Sequence, residues 1–236
     1  MERESNYKKC TREWKKRFLE MDKDSLRRRI PSLKTEGNNL TMFYFDRKLG
    51  ICLESGDITV LEDKNAPGGN PGASMLTEND ELNIFTYFWY CKETAFFRNQ
   101  WLPFRDLKDA RPFGPAFQKG VNNTLAETFE GHARELEQVL IRMGGKKLSS
   151  GDVGYELYPV AEIPMRVLFW EGDEEFPAQA NILFDRGSTD YIHVESLVTM
   201  ASSALYRMVK LSGISAKGSP FPAMGAGFEE RSNRLL

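Results

Sequence analysis

The stretch from Met165 to Asp185, MRVLFWEGDEEFPAQANILFD, constrains this chain more than any other. Two runs of bulky side chains, Met165 to Trp170 and Ala180 to Phe184, flank a dense cluster of carboxylates. Runs that apolar have to be covered, and the Gly, Asp and Pro between them favour a turn. The segment therefore predicts a β-hairpin with its flanks in a core and its tip in solvent. Trp170 and Phe176 are expected to anchor that tip by packing, and Asp173 to stand exposed in the turn.

A hairpin needs covering layers, and the rest of the chain supplies them. From Glu4 to Met21, the residues Tyr7, Cys10, Trp14, Phe18 and Met21 recur at helical spacing among charges, which predicts an amphipathic helix. A second helix, Asp24 to Ile30, ends at Pro31, and the two form a brace over residues 1–31. Between Leu40 and Leu61 the segments LTMFYFD, GICLES and DITVL predict a small antiparallel meander, followed by a Gly- and Pro-rich loop from Glu62 to Ser74. That loop matches neither the P-loop nor the dinucleotide-binding glycine pattern.

Thr77 is a good N-cap for a helix from Glu78 to Lys92, apolar nearly all round and hence expected to be central and buried. Asn99 to Arg105 is extended, with Pro103 keeping it off the centre of a sheet. A helical pair, Pro115 to Thr128 and Glu130 to Met143, precedes a strand from Val153 to Val160. After the hairpin comes a helix from Val194 to Leu211 that stops before Gly213. The expected fold class is α+β: an antiparallel sheet of short strands, built from the meander and the strands around Val153, Val167 and Ile182, packed by several helices. It would form one domain over residues 1–213, with Ile214 to Leu236 as a tail. Phe221, Pro222, Met224 and Phe228 would let the tail dock on a groove of its own chain or of a neighbour, and the oligomeric state is left open.

At 236 residues, with 41% hydrophobic and 28% charged side chains, a domain of this kind can bury roughly 70 to 75% of its unfolded surface. A net charge of −2 gives no general pull toward phosphate backbones or anionic lipid. The basic runs Lys15-Lys16-Arg17 and Arg27-Arg28-Arg29 sit among acids and read as solvated helix faces, so no nucleic-acid partner is expected. Cys10, Cys52 and Cys91 are too scattered for a disulfide framework or a zinc site, which fits a reducing cytoplasm. The charged N-terminus has no signal-peptide core, and no apolar run approaches a membrane span.

Two constellations bear on chemistry. Glu171, Asp173, Glu174 and Glu175, with Asp185 at the end of the second strand, are oxygen ligands of the kind Mg²⁺ or Ca²⁺ takes, although no EF-hand pattern is present. His193 lies close in sequence to Asp185, Ser188, Asp190 and Glu195. Without a nucleophile elbow or an H-E-x-x-H helix, it reads as a structural residue at the start of the last helix, and His132 carries less signal still. The ligand-binding candidates are therefore Trp170, Glu171, Asp173, Glu175, Asp185 and His193, with no metal assigned and no cofactor legible. A non-catalytic module for a small molecule or a protein partner is the leading expectation. The alternative is a divalent-cation-dependent enzyme using Glu171, Asp173 and Asp185 with His193.

The string W-E-G-D-x-E-F-P at Trp170, preceded by VGYELYPV and Ile163-Pro164 and followed by the helix entry at Tyr191, resembles the family known as domain of unknown function 3786. The resemblance runs back through GGKKLSSGDVGYELYP, NQWLPFRDL and the aromatic helix, covering about Leu40 to Leu211. It implies a setting in anaerobic bacteria and archaea, in redox or corrinoid metabolism, where some relatives carry a cysteine-rich iron-sulfur module. This chain has no cysteine cluster, so an iron-sulfur cofactor does not carry over, and no family residue role maps onto it.

Overall fold

A computed structural model describes residues 6–74 and 76–218. The strands β1 (Lys34–Glu36), β2 (Asn39–Tyr44), β3 (Arg47–Cys52) and β4 (Ile58–Asp63) form one antiparallel sheet in sequence order. A second antiparallel sheet contains β5 (Trp101–Pro103), β6 (Lys146–Lys147), β7 (Val153–Val160), β8 (Ile163–Trp170) and β9 (Gln179–Asp185), in the order β5-β9-β8-β7-β6.

The fold is α+β, as the patterning indicates, but the meander and the hairpin do not share one sheet. Phe45, in the tight turn after β2 with φ 53°, donates its N–H to the Pro159 carbonyl at 2.8 Å, which ties the first sheet to β7 of the second. The pairing shifts register between Lys48 and Leu49 and between Leu157 and Val160, and such irregularities bend and twist strands. Two separate sheets therefore replace one continuous surface. The short polar strands β1 and β6 escape sequence reading because KTE and KK carry no apolar alternation.

One contiguous apolar cluster links both sheets to the helices. Helix α1 (Asn6–Glu20) sets Phe18 against Phe85 and Phe88, at ring distances of 5.7 and 5.8 Å. Asp22 caps α2 (Lys23–Arg29) by accepting the N–H groups of Asp24 and Ser25. A reciprocal capping box of Thr77 and Asp80 starts α3 (Glu78–Tyr90), which lies between α1 and α8 (Val194–Ser212). Ile84, Phe85, Tyr87 and Phe88 are fully buried, whereas Trp89 and Tyr90 are 47% and 41% exposed. The expectation of burial all round thus fails at the C-terminal end of α3, where Trp89 and Tyr90 pack on Trp14 and His193 and keep an exposed side. Gly213, at φ 74°, ends α8 in the left-handed conformation that glycine tolerates best.

The first helix of the expected pair is interrupted: α4 (Gly114–Phe117) runs through a π-helical turn (Gln118–Asn123) into α5 (Thr124–Phe129). Then follow α6 (Ala133–Arg142) and, after β9, the short α7 (Ser188–Tyr191). Lys217 donates its N–H to Thr128 Oγ1 at 3.0 Å, so the described chain ends against α5. Phe221, Pro222, Met224 and Phe228 of the expected docking tail lie outside the described residues. In the basic runs, Lys15 pairs with Asp57, Arg17 with Glu13, Arg27 with Asp24, and Arg29 donates to the carbonyls of Phe88 and Cys91. Among the described residues no helix is long and apolar enough to cross a membrane.

Candidate functional site

The alternation of β8 sends Met165, Val167 and Phe169 into the core and leaves Trp170 39% exposed at the strand end. Beyond it, the carboxylates of the turn do not converge. Glu171 Oε1 accepts the Gly131 N–H at 2.8 Å, while its own N–H donates to Asp152 Oδ2. Asp173 Oδ1 accepts the N–H groups of Glu175 and Phe176, both at 2.8 Å, and these two donors hold its carboxyl below the usual carboxylate range. Glu130 Oε1 accepts the Ala178 N–H at 3.2 Å from the helical side. Gly172 is enclosed by this arrangement: a Cβ there would stand 2.7 Å from Ala178 N and 2.8 Å from Glu130 Oε1. Glu174 and Glu175 are exposed, and Phe176, 62% exposed, is no packing anchor.

Asp185 and His193 lie apart from that turn in their bonding. Asp185 is buried and accepts three backbone N–H groups, from Arg98 (3.0 Å), Gln100 (2.9 Å) and Gly187 (2.8 Å). It ties the segment entering β5 to the turn leaving β9. His193 is the N-cap of α8: its Nδ1 accepts the Glu195 N–H at 3.3 Å and its ring lies 5.3 Å from that of Tyr90. His193 thus stands at the start of the last helix, where the sequence places it. Asp190 pairs with Lys92 and Arg98 at 2.7 and 2.9 Å, not with the histidine. Among the described residues no group of three His, Cys, Asp or Glu is placed to hold a metal ion.

Of the sequence candidates, Trp170 borders a groove of about 710 Å³. Its walls are the end of the hairpin (Trp170, Gln179, Ala180, Asn181) and the chain from Pro103 to Asp106 with Arg111, Gly114, Pro115, Phe117, Gln118 and Asn122. Packing fixes the second wall. Phe104 and Phe117 stack at 4.2 Å with 9° between their planes, and Phe184 meets both edge-on from β9. The π-helical turn then directs Asn122 to the strand: its Oδ1 accepts the Ile182 N–H at 3.1 Å, and its Nδ2 donates to Gln118 Oε1 at 3.1 Å. Turns of this kind recur at functional sites. Arg105 and Arg111 are exposed on the groove. Arg105 stands 3.9 Å from Asp106, and the Arg111 guanidinium has no hydrogen-bond or ion-pair partner among the described residues.

Sequence reasoning misses Gln118, Asn122, Gln179 and Asn181, because isolated amides have no chemical signature. A weak signal exists in Asn122, a polar residue that directly follows Val121 of the apolar stripe Phe117, Val121 and Leu125 and is buried in the fold.

Fold and groove together define an α+β protein of two antiparallel sheets, with an amide-lined cleft at the open end of one hairpin. The chain belongs to the family described as Domain of unknown function (DUF3786), whose sequence profile matches residues 26–207. No curated protein and no solved structure matches it.

Proposed function

We propose that this protein is a non-catalytic binding module whose ligand lies in the groove beside Trp170. The observation that carries the reading is the character of the lining: an indole, four side-chain amides (Gln118, Asn122, Gln179 and Asn181) and two guanidinium groups around one cavity of about 710 Å³. An aromatic face holds apolar or planar groups, amides orient through paired donors and acceptors, and guanidinium groups draw anions. These are groups that hold and orient. No histidine, cysteine or lysine stands among them, and the one carboxylate of the lining, Asp106, lies 3.9 Å from the Arg105 guanidinium. The ligand class this favours carries a carboxylate or similar anion next to an apolar part. The free state of Cys10, Cys52 and Cys91 supports a reducing cytoplasm as its setting.

The test is a titration of isotope-labelled full-length protein with monocarboxylates, dicarboxylates and short blocked peptides, followed by NMR. The indole N–H of Trp170 and the side-chain amides of Asn122 and Asn181 are the reporters. Shifts confined to groove residues and weakened in Arg111→Ala support the reading. Silence of every lining residue at millimolar ligand refutes it.

A further inference from the structure

The groove contains one feature that narrows its ligand further. In an antiparallel strand, the N–H and C=O of each residue point to the same side, and that side alternates along the chain. The Ile182 N–H points away from β8, because Asn122 Oδ1 takes it. Residues of the same parity on β9 therefore also present their backbone groups to that edge. Phe184 lies there opposite Leu102 of β5, and the Ala178 N–H, just before the strand, is taken by Glu130 Oε1 at 3.2 Å. Ala180 has this parity too, yet β5 stops at Pro103, opposite Leu183, and turns away. Among the described residues no strand pairs Ala180 on that side and no side chain bonds its N–H or C=O. Its backbone donor and acceptor thus face the groove between two side-chain substitutes for a neighbouring strand.

Natural sheets blunt exposed edges with charge, proline or a covering element. Here the edge is interrupted by Pro103 and is unpaired at Ala180, a half-buried residue with a small side chain that lines the groove. The groove lining itself carries Arg105 and Arg111 against one carboxylate, Asp106, so it has an excess of positive charge, while the Glu130 carboxylate closes the edge at Ala178. Trp170 pairs with Gln179, next to Ala180 in the chain but on the opposite face of the sheet, and its indole lines the same groove.

We infer that the groove takes an extended, acidic peptide segment of a partner protein as a short extra strand on β9 at Ala180. This rests on the reading of the groove as the binding site and names its occupant. Main-chain bonds to Ala180 supply the strand addition, an apolar side chain of the peptide covers Trp170, and a carboxylate meets Arg105 and Arg111.

The test uses the full-length protein and a short blocked peptide alternating glutamate and valine. The controls are the same sequence with every backbone nitrogen methylated, and a lysine–valine counterpart. At a peptide concentration ten times the dissociation constant, exchange of the Ala180 amide hydrogen should slow about tenfold, while the two controls leave it unchanged. Ala180→Pro removes a donor that no ladder uses, so binding should fall at least about tenfold with the thermal midpoint held. If that variant misfolds, the methylated peptide still decides. Shifts at Trp170 and Asn122 with unchanged exchange at Ala180, or equal binding of the methylated peptide, would overturn strand addition and leave the groove as a binding site. Preference for the lysine peptide would overturn the acidic partner. Silence of all lining residues would overturn both readings.

Discussion

Replacing Asp185 by alanine separates a structural carboxylate from a ligand-binding one. The side chain is 2% exposed and accepts the N–H groups of Arg98, Gln100 and Gly187 at 2.8 to 3.0 Å. A hydrogen bond to a charged group contributes about 1.5–3 kcal/mol, so three would sum to about 4.5–9 kcal/mol if all donors were left dry. Two of the bonds, to Arg98 and Gln100, are only partly buried, and water can replace part of what is lost. The expected cost of Asp185→Ala is therefore about 3–5 kcal/mol. Asp185→Asn keeps an acceptor at Oδ1 for Arg98 and Gly187 but can turn an NH₂ toward the Gln100 N–H, and should cost about 1–3 kcal/mol. Equilibrium urea denaturation gives both values, with an unchanged m-value certifying that the native state is otherwise intact. A loss below about 1 kcal/mol for the alanine variant, or equal losses for the two, would refute the reasoning. Asp185 does not line the groove, so Asp185→Asn should also leave the groove titration unaltered.

Phe176→Ala should change stability by no more than about 0.5 kcal/mol because the ring is 62% exposed, whereas Trp170→Ala, at 39% exposure, should cost about 1–3 kcal/mol; thermal and urea midpoints check the pair. Gly172→Ala forces a Cβ onto Ala178 N and Glu130 Oε1, so it should cost about 1–3 kcal/mol and speed exchange of the Ala178 amide. Hydrogen bonding and charge from Lys92 and Arg98 lower the Asp190 pKa, so its stabilisation is complete above the ordinary carboxylate pKa of about 3.9 and is lost as pH falls below it; Asp190→Asn should flatten the acid limb of stability against pH. Burial pushes the Cys91 thiol and the Tyr191 phenol up to about 12. Their neutral forms therefore favour the fold below their ordinary pKa values of about 8.5 and 10, and that contribution is lost as pH climbs toward 12, which should appear as a falling thermal midpoint above about pH 9.

Periodicity by itself determined most elements of this protein. The hairpin of β8 and β9, the strand β7, the long apolar face of α8, the Thr77 cap of α3 and the edge position of Pro103 follow from side-chain alternation, capping chemistry and the missing proline N–H. The string around Trp170 also carried enough identity to indicate the family. What alternation does not encode is which strands become neighbours. Only the tertiary structure decided that the meander forms its own sheet, because the Phe45 turn and the register shifts that bend β3 and β7 depend on contacts far away in sequence. The candidate site divides the same way. Trp170 stood out as an aromatic at a strand end, but Glu171 and Asp173 beside it proved to be bonded to backbone donors of a distant helix end and of their own turn. The groove exists because β5 ends at Pro103, the stacked Phe104 and Phe117 set the π-helical turn against β9, and Asn122 takes the Ile182 N–H. Each residue there is ordinary in sequence, and the open backbone edge at Ala180 arises from what the folded chain leaves unpaired.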